Sequence, residues 1–310
     1  LKAADTFMQS TYIKLKALIK EMHSVLVAFS GGVDSSLLLA AAMDALGNRV
    51  LAVTAVSPLV SEVEVHQAQE TAAHLGARWM SIHIHDLDRA HFRENPPDRC
   101  YACKKELFIA LLQIAAKEGL GAVIEGTHAG DLHDYRPGLR ALKELRIRSP
   151  FMELGLGKAQ IRLLSKDRGL TNWDQPSNAC LATRIPYGEA VTEDKLQRIS
   201  GCEILLRKLG FSEVRVRDHG NLARIELDPE ELRSALHAQT AHAIVRGCKE
   251  HGYTYVTLDL QGYRTGAMNE NLPEEDKRNK RETAHHPGNA ANTHCPWVKE
   301  DLYRREKLAP

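Results

Sequence analysis

The sequence predicts an α/β fold, a doubly wound parallel sheet followed by a smaller C-terminal α+β domain. Three observations carry this expectation. Strand-length apolar runs alternate with helix-length segments through the N-terminal half. A glycine turn joins the first run to the next helix. Near Glu189 the pattern changes to short alternating strands. At 310 residues the chain can bury two cores, and the boundaries read as 1–188, 189–270 and a polar tail over 271–310.

Taken in order, Leu1 to Lys20 reads as an amphipathic helix and not as a cleaved signal. The spacing predicts strands over Val25–Phe29, Val50–Val56, Arg78–His85 and Ala122–Gly126, and helices over Ser36–Leu46, Glu62–Leu75 and Lys104–Glu118. Strands separated in this way pair in parallel, and ligands then bind beyond their carboxyl ends. A helix over Glu193–Leu209 leads to a hairpin, Glu213–Arg217 and Leu222–Leu227, around Asp218-His219-Gly220-Asn221. Helical segments near Pro229–His237 and Ala241–His251 precede a last strand, Tyr253–Leu260. The tail reads as disordered, with one short helix near Val298–Lys307.

Composition narrows the function classes. A net charge of +1 with 26% charged residues is no signature of a general polyanion binder, so nucleic acid is not expected as a partner. No apolar run approaches a membrane span. Six cysteines are too sparse for a disulfide scaffold and suit reduced thiols in the cytoplasm.

The segment Ser30-Gly31-Gly32-Val33-Asp34-Ser35 lies between a buried strand and a helix start. Glycines let the backbone approach anionic oxygens, and the first N–H groups of a helix lack intrahelical partners. Ser30, Ser35 and Ser36 add hydroxyls, and Asp34 could hold magnesium against phosphate. The loop contains no lysine, so it is not a Walker A sequence, and the dinucleotide G-x-G-x-x-G spacing is absent. A second polar loop, Gly126-Thr127-His128-Ala129-Gly130-Asp131, lies on the same rim, with Asp131 a further magnesium candidate.

Cys100 and Cys103 form a C-x-x-C within Arg99–Lys105, and Cys180 lies in Ala179-Cys180-Leu181-Ala182-Thr183-Arg184. Thiols near helix N-termini and basic side chains tend to ionise, which suits a nucleophile or a metal ligand. A dithiol redox pair, half of a zinc site completed by His83 or His85, and iron–sulfur ligation all remain open on the residues alone. Cys202, Cys248 and Cys295 read as small core or tail residues. Arg215 and Arg217 alternate on a strand, so they share a face on which an anion would relieve their repulsion.

The phosphate loop resembles the PP-loop, SGGxDS, of enzymes that split ATP into AMP and pyrophosphate. Taken with Arg99-Cys100-x-x-Cys103-Lys104, Asp134-Tyr135-Arg136-Pro137-Gly138, Trp173-Asp174-x-Pro176-Ser177-x-Ala179-Cys180, Val214–Arg217 and Leu258-Asp259-Leu260-x-Gly262-Tyr263-Arg264, it resembles the LarE family over residues 5–270. These are ATP-dependent pyridinium-3,5-biscarboxylic acid mononucleotide sulfur transferases. The resemblance implies adenylation of a substrate carboxylate, with Ser30 to Ser36, Gly126 and Thr127 around ATP and Mg²⁺. Attack by a sulfur nucleophile would follow, giving the dithiolated precursor of the nickel-pincer nucleotide. It implies that Cys180 either gives up its own sulfur or joins Cys100 and Cys103 in holding a [4Fe–4S] cluster supplied by a sulfide donor. The presence of all three cysteines favours the cluster. Arg184, Arg215, Arg217 and Glu203 correspond to substrate-site positions, and assembly through the C-terminal domain into a homo-oligomer is implied. Gln175 replaces an expected lysine, and Thr183 an expected serine.

Three rival readings share parts of this pattern. A tRNA thiolation ligase would need an RNA surface, an amide synthetase of the NAD-synthetase sort has no need of three cysteines, and a nucleotide-binding regulatory protein leaves the C-x-x-C unexplained.

Overall fold

The computed structural model describes residues 2–133, 137–176, 179–264, 266–270 and 272. The tail beyond 272 with its expected short helix and Cys295, Asp134 to Arg136, and Ser177 lie outside the described residues.

The chain opens with α1 (Lys2–Lys20), then β1 (Val25–Ala28), α2 (Val33–Leu46), β2 (Val50–Val56), α3 (Glu62–His74) and β3 (Arg78–His83). A short α4 (Ala90–Arg93) precedes α5 (Arg99–Lys117) and β4 (Ala122–Ile124). The four strands form a parallel sheet in the order β3-β2-β1-β4. Period-two alternation explains why both faces are buried. Val25, Val27, Val50 and Ala52 enter one core with α1 and α2, whereas Leu26, Leu51 and Val53 enter a second core under α5. Helix α2 is apolar nearly all round, with Leu37 to Ala42 buried, as befits a helix enclosed by its neighbours.

Three helices follow: α6 (Gly138–Glu144), α7 (Pro150–Glu153) and α8 (Lys158–Asp167). Beyond them, α9 (Glu193–Lys208) leads into β5 (Val214–His219) and β6 (Leu222–Leu227), which pair antiparallel across Gly220-Asn221. After α10 (Leu232–Ala235) and α11 (Ala238–Glu250), β7 (Tyr255–Leu258) pairs parallel to β6. The second sheet is therefore mixed, because the α10–α11 crossover returns the chain to the same edge direction. It packs over its own core of Cys202, Leu206, Val214, Val216, Ile225 and Cys248.

Two boundaries differ from the sequence reading in ways that matter for the site. Helix α2 begins at Val33, so Asp34, Ser35 and Ser36 are in its first turns and not in a preceding loop. Helix α5 begins at Arg99, so Cys100 and Cys103 stand three residues apart in its first turns, on one face.

Candidate functional site

Every strand of the parallel sheet delivers one part of the site at its carboxyl end. The order places β1 and β4 side by side with their connections running in opposite directions, which opens a crevice there.

From β1 comes the phosphate loop. Gly31 has φ +75°, and a Cβ on it would lie 2.9 Å from Ala68 of α3, so only glycine fits. Gly32 caps α2 in extended backbone with no side chain covering the helix N-terminus. The serines mostly serve the loop itself. Ser35 donates to the Gly32 carbonyl (3.1 Å) and meets the Ser30 hydroxyl at 3.1 Å, and the buried Ser36 donates to the Gly31 carbonyl (3.3 Å). From β4 comes Gly126, where a side chain would crowd Asp34 Cβ at 3.2 Å and the Ser35 nitrogen at 3.3 Å. Thr127 turns inward, with its hydroxyl 2.6 Å from the buried Glu125, which also accepts from Ser149. Asp131 accepts the His128 N–H at 3.1 Å.

Two polar contributors were not foreseen. Lys158, the first residue of α8, places its ammonium 2.7 Å from both oxygens of Asp34. A cation at a helix N-terminus opposes the helix dipole. Paired with Asp34 it adds no net charge, yet it brings to the start of α2 the lysine that the loop itself lacks. Asn172 donates to the Gly31 carbonyl (2.8 Å) and the Ser36 hydroxyl (2.9 Å).

The thiols gather beyond β2 and β3. Cys100 and Cys103 project from α5. Cys180 sits at the head of a 3₁₀ turn (Leu181–Arg184) whose first N–H reaches the Leu59 carbonyl after β2. Arg99, 2% exposed, ties these parts together. It donates to Asn95 and to the Ala182 carbonyl (3.0 Å) and lies 3.9 Å from the Cys100 sulfur. Asn95 in turn holds the Ile185 and Pro186 carbonyls.

The environment corrects one expectation, that all of these thiols are readily ionised. Burial pushes the Cys180 thiol up, with Arg99 opposing. Burial and the Asp86 carboxyl beyond β3 push the Cys103 thiol up as well. Asp86, 2% exposed, is itself raised by burial and hydrogen-bonds with Cys103. His83 and His85, the sequence candidates for completing a zinc site, are exposed, and it is the residue after them that turns inward.

Glu203, Arg184, Arg215 and Arg217 come together as foreseen, but in a buried network and not on an open strand face. Arg184 donates from Nε and Nη2 to Glu203 (2.8 and 3.1 Å) and from Nη1 to the Ala179 and Cys180 carbonyls (2.6 and 3.2 Å). Both side chains of that pair are 2% exposed. Burial would raise Glu203, but the Arg184 and Arg215 guanidiniums and the Val216 N–H together outweigh it and hold the carboxyl below its usual range. Arg217 donates to Glu226 (2.7 Å) and to the Thr183 carbonyl (3.0 Å). Burial and the neighbouring Arg184 charge both disfavour the charged form of Arg215.

Among the described residues no three His, Cys, Asp or Glu side chains are arranged to hold a single metal ion. A four-iron cluster asks something different, since each thiolate binds a separate iron and the ligands stand wider apart. Three free, half-buried thiols in one neighbourhood, two of them on one helical face, suit that donor set. Of the two carboxylates expected at magnesium, Asp34 is partly exposed and held by Lys158, whereas Asp131 is buried.

The NAD synthase family model matches residues 8–109, the part that carries the phosphate loop. A curated relative from Lactiplantibacillus plantarum, pyridinium-3,5-bisthiocarboxylic acid mononucleotide synthase, is 40% identical over 83% of this chain and 93% of its own length. The chain belongs to the LarE family. Uncharacterized proteins of Synechocystis and Methanocaldococcus jannaschii are 41% and 31% identical, over 84% and 82% of the chain and 98% and 97% of their own lengths. As a LarE member it is an ATP-using sulfur-transferase enzyme. No described helix is long and apolar enough to cross a membrane.

Proposed function

We propose that this enzyme adenylates the carboxylates of pyridinium-3,5-biscarboxylic acid mononucleotide and converts them to thiocarboxylates. The observation that carries the reading is the shared rim. The phosphate loop after β1 and the thiols beyond β2 and β3 occupy the carboxyl ends of one sheet, with Gly126 packed against the start of α2.

In the first half-reaction a substrate carboxylate oxygen attacks the α-phosphorus of ATP. The bond to the pyrophosphate breaks, and an acyl-adenylate forms. The open N-terminus of α2 and the Lys158 ammonium stabilise the charge that grows on the departing pyrophosphate. A bound magnesium ion would neutralise further phosphate charge, and Asp34 would hold it by exchanging its partner Lys158. In the second half-reaction exogenous sulfide delivered beside Cys180 attacks the acyl carbonyl; a C–S bond forms, AMP leaves with the C–O bonding pair, and no bond of the protein is broken. Arg184 fixes the backbone of Ala179 and Cys180 for that attack. Arg215 is the anchor for a substrate anion, since an incoming phosphate or carboxylate would relieve the repulsion it feels from Arg184.

Cys100, Cys103 and Cys180 would hold a [4Fe–4S] cluster, whose chemistry is to bind exogenous sulfide so that the protein's own sulfur is spared. The raised thiols of Cys103 and Cys180 would release protons on binding iron. The test is anaerobic reconstitution followed by iron and sulfide analysis and mass spectrometry of the protein after turnover with ATP, magnesium, sulfide and substrate. The reading expects about four irons per chain, pyrophosphate release that depends on substrate, and an intact residue 180. An iron-free protein carrying dehydroalanine at 180 would replace the cluster with a sacrificial cysteine. Absence of substrate-dependent pyrophosphate would overturn the function itself.

A further inference from the structure

We propose that Asn172 is a positioning residue that aims the Gly32 N–H at the nucleotide phosphates. The inference rests on the phosphate-loop reading above and adds to it a residue from a distant part of the chain.

The argument begins with the Gly31–Gly32 peptide. Gly31 has φ +75° and is pressed against Ala68, so the chain enters the loop along a fixed path. What remains to be set is which way this peptide plane faces. In a planar trans peptide the N–H and C=O point in opposite directions, so holding one determines the other. The Gly31 carbonyl faces inward, where it accepts from Asn172 Nδ2 at 2.8 Å and from the Ser36 hydroxyl at 3.3 Å. Asn172 Nδ2 also reaches that hydroxyl at 2.9 Å, so the amide steadies both donors to the carbonyl. The Gly32 N–H accordingly faces outward, where its contact is a long 3.4 Å approach to the exposed Ser30 hydroxyl. It stands beside the uncapped start of α2, the place an anion would occupy.

Asn172 is suited to this task by its donors alone. It is 5% exposed, and its Oδ1 is buried without a partner, so the side chain is held by its Nδ2 end. The turn that carries it is braced by the Gln175 N–H on the Asn172 carbonyl (3.1 Å) and by Arg162 on the Gln175 carbonyl (3.1 Å). A rigid turn after α8 thereby reaches across to orient a loop after β1.

The experiment compares MgATP and adenosine binding by calorimetry for the wild-type chain and for Asn172→Ala, Asn172→Asp and Ser36→Ala. Adenosine lacks the phosphates and so controls for general loss of shape. Losing one oriented donor should weaken ATP by roughly tenfold in Asn172→Ala, with adenosine unchanged. Asn172→Asp should lose more, because a carboxylate would repel the Gly31 carbonyl and favour the flipped peptide. Ser36→Ala should show a smaller loss with the same selectivity for ATP. Equal weakening of ATP and adenosine, or an unchanged ATP affinity in Asn172→Ala, would overturn the inference. Should Asn172→Ala fail to fold, Ser36→Ala decides alone, and an unchanged ATP affinity there overturns it. A wild-type chain that binds ATP no better than adenosine removes the phosphate-loop reading, and this inference with it.

Discussion

Two charged regions of the molecule handle their ions in opposite ways. At the phosphate loop the Asp34–Lys158 pair is more than a quarter exposed, and the start of α2 is uncapped. In the network between the Leu181–Arg184 turn and the second sheet, Arg184, Glu203, Arg217 and Glu226 are between 0 and 6% exposed, with their charges matched by carboxylates, guanidiniums and carbonyls. The first region is built to exchange partners when ligands arrive. The second is built to keep its partners, so that Cys180 stays where the Arg184 grip places it.

That contrast can be broken most decisively at Cys180. Cys180→Ser should abolish thiocarboxylate formation while substrate-dependent pyrophosphate release persists, measured by mass spectrometry of the product and a coupled phosphate assay. Loss of both activities together would mean that the two regions are not separable. Next in size is Glu203→Ala, which strands the Arg184 guanidinium in a buried site. A cost of about 3–5 kcal/mol is expected, read as a lowered denaturation midpoint with an unchanged slope. A loss under about 1 kcal/mol would show the network to be solvated like a surface pair.

Lys158→Ala tests the exchanging region. Its stability cost should be at most about 1 kcal/mol, as for other partly exposed pairs, yet the KM for ATP should rise by roughly ten- to a hundredfold. A large stability loss with unchanged KM would reverse the roles assigned to the two regions. The smallest effect concerns pH. Because Glu203 is held below its unfolded value, its contribution is present above the ordinary carboxylate range and fades as pH falls through its folded pKa. Wild-type stability should therefore decline on acidification more steeply than that of Glu203→Gln, compared by thermal melts across the acid limb.

The two regions also differ in how far the sequence reveals them. The strand, glycine turn and helix at Ser30 to Ser36 are contiguous, so local pattern suffices to place an anion there. The alternation at Arg215 and Arg217 likewise tells that they share a face. It does not tell what covers that face, since Glu203 lies on α9, Glu226 on the neighbouring strand and Thr183 in another part of the chain. Lys158, Asn172 and Asp86 escaped notice for a related reason. Lys158 sits at the start of an ordinary amphipathic helix and Asn172 in a polar turn, and their partners lie 124 and 141 residues away. Asp86 follows two histidines that drew the metal-site reading to themselves, and only the path of the chain after β3 distinguishes the inward carboxyl from the outward imidazoles. Spacing reveals the C-x-x-C, but not that burial raises Cys103 and Cys180, because nearby basic residues are visible in a sequence and burial is not.

The sheet also acts as a ruler. Neighbouring strands stand about 4.8 Å apart, so the loop that follows β1 and the Asp86–Cys103 contact that follows β3 are offset by about 10 Å across the sheet. Because the carbon that is adenylated is also the carbon that receives sulfur, the proposed reaction requires the acyl-adenylate or the sulfur to cross that offset between its two steps.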